Sequence, residues 1–249
     1  MLTEQQLVHF QTFGFVILRN LFSSDELKTI NGEFMEAMEA AFRDDPFDGS
    51  RRHWLVTMGP QTPFFTSLLE DPRFCEIAEQ VYGEDVFAIA SDINRYVGDT
   101  SWHPDTGSVQ HQYGVKFAYY LQPIDAESGA LRVIPGSHKQ PLHDELRQNL
   151  DKSGLSIPDV PAYVCKSEPG DVVAFDLRCW HASCGGSNDR RMCVMVYYNY
   201  PKTPEAIDAT RERLVLNGID YTPWVENSEA HPKRQRWINQ MRELAPGLL

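Results

Sequence analysis

The chain has 249 residues, 42% hydrophobic and 23% charged, enough apolar material for a sizeable core but with no run of about 18 apolar residues that would span a membrane. Its formal net charge of -12 excludes a general nucleic-acid binder, which meets phosphates with Lys and Arg, and leaves no polybasic patch for a membrane surface. The five cysteines, Cys75, Cys165, Cys179, Cys184 and Cys193, are odd in number and lack CxxC spacing, and MLTEQQLVHF has neither the basic nor the apolar region of a secretory signal. Both point to a reduced, cytoplasmic chain rather than a disulfide framework or zinc ribbon.

In chain order, Thr3 with Gln6 fits a capping box, and Leu7, Phe10 and Phe13 space like one helical face. GFVILRN (14–20) reads as a short strand. Ser23 with Glu26 forms a second capping box, opening a helix that runs to about Phe42. Residues 44–53 read as a loop, and 65–83 as helix interrupted at Asp71-Pro72. From Val86 the period becomes that of strands: 86–97, 113–122, 129–135, 171–177 and 191–200, separated by Gly- and Pro-containing turns. Residues 138–163 form an insertion with a helix near 141–151, by default a surface loop and alternatively a lid. After Tyr200 the text turns polar and helix-like around Trp224 and Trp237. No repeat or linker divides the chain. The expected architecture is a single domain over 1–249, mainly β with flanking helices: a helical part over 1–85, a jelly-roll core (double-stranded β-helix, cupin-like) over about 86–200, and a helical extension over 201–249.

The stretch WHPDTG carries the chemistry. His103 and Asp105, two apart, share a face if the segment is extended. His181 follows a strongly apolar strand. Two histidines and one carboxylate in this pattern match the facial triad of non-haem Fe(II) oxygenases, in which three protein ligands leave three positions for a bidentate 2-oxo acid and O₂. An arginine at the far end of the cosubstrate would fork onto its distal carboxylate, and Arg191, opening the strand RMCVMVYYNY, is placed for that role, with Arg190 its rival.

The order WHPD, KFAYYLQPIDAESGALRVIPGSH, EPGDVVAFDLRCWHAS and RRMCVMVYYNY, preceded by LVHFQTFGFVILRNLFSSDELKTI, resembles the phytanoyl-CoA dioxygenase family of Fe(II)/2-oxoglutarate-dependent oxygenases across roughly residues 4 to 200. The resemblance implies Fe(II) held by His103, Asp105 and His181, with 2-oxoglutarate as cosubstrate. It implies that Arg191 holds the C5 carboxylate, because Tyr198-Asn199 then matches a similar pair in the ectoine hydroxylase branch. Asn94 resembles a position at the C1 end of the cosubstrate, Ser183 the small polar residue after the second histidine, and Lys116 a polar position facing the cosubstrate. Asp105 stands where halogenating relatives carry a small residue, which favours hydroxylation. The implied partners are a small-molecule substrate and O₂, with oligomeric state open. Two other readings stand beside this one: a different metal-dependent jelly-roll enzyme (an isomerase or hydrolase), and a non-catalytic binder of small molecules.

Other side chains have plainer readings. His138 orders the PGSH turn, and His111 is a candidate pocket residue. Trp102, Tyr96, Tyr119 and Tyr120 pack the sheets, and the cysteines serve as small buried hydrophobes. Trp54, Arg51 and Arg52 sit on a solvated loop. Arg95 and Arg132 are candidates to meet a substrate carboxylate.

Overall fold

The computed structural model describes residues 1–106, 112–186 and 188–249. His111 and Gly107 lie outside the described residues. Both expected capping boxes form. The Thr3 side chain accepts the Gln6 N–H while Gln6 accepts that of Thr3, starting α1 (Glu4–Phe13). Ser23 and Glu26 exchange the same pair of bonds at the start of α2 (Ser24–Ala41). The helical text before Val86 divides as expected at Asp71-Pro72, into α3 (Pro63–Leu68) and α4 (Pro72–Tyr82), the latter capped by the Asp71 carboxylate.

Among the described residues the strands are, in chain order, β1 (Phe15–Leu18), β2 (His53–Val56), β3 (Val86–Tyr96), β4 (Thr100–His103), β5 (Gly114–Tyr120), β6 (Arg132–Val133), β7 (Tyr163–Val164), β8 (Val172–Asp176), β9 (His181–Ser183) and β10 (Arg190–Asn199). They form two antiparallel sheets, one ordered β1-β8-β5-β10-β3-β2 and one ordered β4-β9-β6-β7. With the flanking helices this is the expected jelly roll. The remaining helices are α5 (Leu142–Asn149), within the insertion, and α6 (Pro204–Leu216), α7 (Thr222–Glu226) and α8 (Pro232–Leu244) after the last strand.

The central strands β5, β8 and β10 of the larger sheet divide their side chains between two cores, as the period of two requires. Toward the helices go Val115, Phe117 and Tyr119 of β5, Val172 and Ala174 of β8, and Cys193, Met195 and Tyr197 of β10, in a cluster with Phe34, Phe74, Trp224 and Trp237. Toward the smaller sheet go Ala118 and Tyr120, Val173 and Phe175, and Met192 and Val194, packed against Leu131 and Val133. The smaller sheet is covered outside by Trp180, Ile134 and Leu146 of α5. No helix among the described residues is long and apolar enough to cross a membrane, and all five cysteines are free and buried.

Three sequence expectations change. The strand expected over 129–135 pairs only at Arg132–Val133, and the loop expected over 44–53 gives way at His53 to edge strand β2. Asp105 is not on a strand with His103. It lies in the turn after β4, beyond Pro104, which has no N–H to continue a ladder.

Candidate metal centre

Pairing of β4 with β9 sets His103 directly opposite His181, with ring centroids 4.3 Å apart. Each imidazole is fixed from behind. His103 Nδ1 lies 2.7 Å from the Ser101 carbonyl and His181 Nδ1 lies 2.9 Å from that of Cys179. A carbonyl only accepts, so Nδ1 carries the proton in both rings and Nε2 is left as a lone-pair donor. The turn at Asp105 brings its Oδ2 to 3.9 Å from His181 Nε2. Ligand atoms of His103, Asp105 and His181 all lie within 4.8 Å of one another, the one such cluster among the described residues.

The charges suit a divalent cation. Burial pushes the His181 imidazole down to about 4, an effect that Asp105 only partly opposes, so the ring is neutral and able to ligate at neutral pH. Burial would raise the Asp105 carboxyl, but Lys116, His181 and His103 outweigh it and bring it down to about 2. Lys116 Nζ sits 3.1 and 3.2 Å from the two Asp105 oxygens. Two imidazoles and one carboxylate, converging on one side, are the donor set of a non-haem Fe(II) site.

Beside the triad is a small cavity lined by Tyr96, Lys116, Tyr120, Leu131, Phe175, Ser183, Arg190 and Met192, together with His103 and His181. Its floor is Arg190, only 2% exposed. The guanidinium donates from Nη2 to Ser183 Oγ at 3.1 Å and stacks over the Tyr96 ring at 5.0 Å. Among the described residues its Nε and Nη1 have no partner. Gly129 and Gly186 make room for it, since a Cβ at either would collide with Nη1. A buried cation with unpaired donors fits a site awaiting an anion, and the forked guanidinium suits a carboxylate.

The expectation for Arg191 is therefore corrected. Arg191 lies on the other face of β10, where its side chain reaches Gln122 Oε1 at 3.3 Å and Asn31 Oδ1 at 3.3 Å of α2. Arg190 faces Tyr96 across the β10–β3 ladder and shares its side of the strand with Met192 and Tyr198. The match to Tyr198 thus has the parity of Arg190. Ser183 and Lys116 line the cavity. Asn94 is on the same face but is already engaged, its Oδ1 accepting from Arg52 Nε at 2.8 Å and its Nδ2 donating to Asp92 at 2.6 Å. His138 contacts the Gln11 carbonyl and is no ligand. Arg95 pairs with Asp189, and Arg132 reaches the Ala126 carbonyl. Sequence reading did not anticipate Arg213 of α6, whose Nη2 donates to the Asp105 backbone carbonyl at 2.9 Å. It ties the C-terminal extension to the ligand turn.

Comparison with known proteins agrees with this geometry. Residues 10–193 match the phytanoyl-CoA dioxygenase (PhyH) family. Ectoine dioxygenase of Bordetella bronchiseptica is 25% identical over 240 residues, covering 81% of this chain and 77% of the relative. Ectoine dioxygenase of Sphingopyxis alaskensis is 24% identical over 218 residues, covering 74% and 71%. Among solved structures, HygX from Streptomyces hygroscopicus, with nickel and 2-oxoglutarate bound, superposes with a TM-score of 0.63 at 22% identity over 80% of this chain and 87% of its own. The α-ketoglutarate-dependent carbocyclase SnoK from nogalamycin biosynthesis superposes with a TM-score of 0.64 at 20% identity over 80% and 85%. Both share the fold.

Proposed function

The chain belongs to the phytanoyl-CoA dioxygenase family and is an Fe(II)- and 2-oxoglutarate-dependent dioxygenase, and we propose that it hydroxylates a C–H bond of a small molecule, releasing succinate and CO₂. The observation that carries the proposal is the convergence of His103, Asp105 and His181 beside the buried Arg190, whose Nε and Nη1 are unpartnered among the described residues. Iron with 2-oxoglutarate and O₂ supplies the oxidant when bound.

The protein's own residues hold and orient. His103 and His181 present Nε2, and the carbonyls behind them keep the proton on Nδ1. Asp105 is the anionic ligand, and its presence favours hydroxylation over halogenation. Lys116 balances its charge. Arg190 receives the C5 carboxylate of the cosubstrate, steadied by Ser183 and by the Tyr96 ring. Phe175, with its ring centroid 4.9 Å from that of His181, and Leu131 keep the cavity wall apolar and help exclude water. A metal-dependent isomerase or hydrolase that uses no 2-oxo acid does not need a buried guanidinium beside the triad. We also read residues 1–249 as one domain, since one apolar cluster runs from Leu2 through the sheet to Leu244, and we place it in the cytoplasm on account of its five reduced thiols.

The test is conversion of 2-oxoglutarate to succinate by protein loaded with Fe(II) in air. Turnover that needs both iron and O₂ and disappears in Asp105→Ala supports the reading; turnover that survives that substitution at the wild-type rate refutes it.

A further inference from the structure

Two of the three ligands are fixed by the sheets, and the third is not. His103 and His181 face each other across the β4–β9 ladder, and a backbone carbonyl stands behind each ring. Asp105 lies past the end of β4, outside any strand, after a proline that cannot continue the ladder. Lys116 holds its carboxylate, but a metal ion would compete for the same two oxygens. The backbone of the turn is held from two sides. Thr106 N–H donates to the Leu177 carbonyl at 3.3 Å, a long bond. Arg213 Nη2 donates to the Asp105 carbonyl at 2.9 Å, and this bond is both the shorter and the charge-assisted one.

Arg213 reaches the turn from α6, in the C-terminal extension and beyond the residues 10–193 that match the family. The Thr203 side chain caps this helix, which buries Ala206, Thr210 and Leu214, four apart along one face. Leu214 belongs to the core on the helical side of the larger sheet. A second arginine of α6 does the fastening: Arg211 Nε donates to the Leu244 carbonyl at 2.8 Å and ties α6 to the end of α8. Arg213 has different partners. Its guanidinium meets the Asp105 carbonyl and the buried Tyr198 hydroxyl of β10, while its Nε stays buried without a partner among the described residues. A guanidinium held by a sheet residue and directed at the backbone of a ligand turn can fix where that turn sits.

We propose that Arg213 is a positioning residue of the metal centre: by holding the Asp105 carbonyl it sets the ligand turn, so that the C-terminal extension completes a site whose three ligands all come from the jelly roll. Without this bond the turn is held less closely and the carboxylate is spread over more positions, which weakens metal binding and alters the arrangement of donors. The proposal rests on the reading of Asp105 as a metal ligand, and its test keeps the two apart.

Metal-free wild type, Arg213→Ala and Arg211→Ala are titrated anaerobically with Fe(II) by calorimetry, and separately with Co(II), whose visible absorption reports the arrangement of its donors. Alanine suits a helix, and far-UV circular dichroism verifies that each variant is folded. Arg213→Ala should bind Fe(II) about tenfold more weakly than wild type, and the shape of its Co(II) absorption should change. Arg211→Ala also loses a bond from α6 to a backbone carbonyl, and it should keep the wild-type affinity and spectrum. Wild-type affinity and spectrum in Arg213→Ala overturn the proposal. So do equal losses in the two variants, which would assign the effect to the seating of α6. Should Arg213→Ala not fold, Arg213→Gln takes its place under the same criteria. An Fe(II) affinity of the wild type that Asp105→Ala leaves unchanged would instead refute the ligand assignment itself.

Discussion

The two faces of the larger sheet are built from the same strands and do opposite work. On β10, Cys193, Met195 and Tyr197 face the helices and belong to the apolar core there, while Arg190 and Met192 face the metal centre. On β5, Phe117 belongs to the first face and Lys116 to the second. One residue of displacement along a strand therefore separates stability from chemistry. The adjacent arginines show this most sharply: Arg191 braces α2 through Asn31, and Arg190 sits under the triad.

The contrast can be broken from either side. The largest effect belongs to the triad: His103→Ala should lower Fe(II)-dependent succinate formation by about a thousandfold or more, about 4 kcal/mol, while far-UV circular dichroism stays native. From the other face, Phe117→Ala removes a fully buried ring that packs edge-on against Phe74 and Tyr197. It should cost about 3–5 kcal/mol in denaturant unfolding. At low temperature the folded variant should keep its affinity for 2-oxoglutarate within about twofold, and a larger loss would mean that the faces are not independent.

The charged face should also be the pH-sensitive one. His181 has an ordinary value of 6.5, and burial lowers it to about 4 in the folded chain. Between those values the unfolded chain binds the extra proton and the folded chain does not. Stability of the metal-free protein should therefore be full above about pH 6.5 and fall as pH drops toward 4, by up to about 3 kcal/mol. In His181→Gln this slope should flatten, as measured by urea unfolding at a series of pH values. A smaller effect is expected at Gly129→Ala, where the new Cβ crowds Arg190 Nη1. It should weaken 2-oxoglutarate binding about tenfold by calorimetry without touching iron affinity.

Much of this was legible in the sequence, and what was not has a physical cause. The capping boxes at Thr3 and Ser23 are local chemistry, and both helices start where those residues place them. The triad was legible because its residue types are scarce and its spacing is set by chain turns. The short strands β4, β7 and β9 were not, because two to four residues carry too little periodicity and exist only through their partners. The face of Arg190 was hidden because β10 is buried on both sides. With Met192 and Val194 on one parity and Cys193 and Met195 on the other, hydrophobicity does not mark the inner face. Parity counted from Tyr198 would have chosen Arg190. The role of α6 was out of reach, since the Arg213 contact with Asp105 joins segments far apart in the chain.

The most direct measurement of the division between faces is the affinity of the anaerobic Fe(II) protein for 2-oxoglutarate in Arg190→Gln and Arg191→Gln, read from the visible charge-transfer absorption of the chelate. Arg190→Gln should weaken binding about a hundredfold, about 2.7 kcal/mol, and Arg191→Gln by no more than about threefold. Equal losses in the two variants, or the larger loss in Arg191→Gln, would contradict the assignment of the inner face to Arg190.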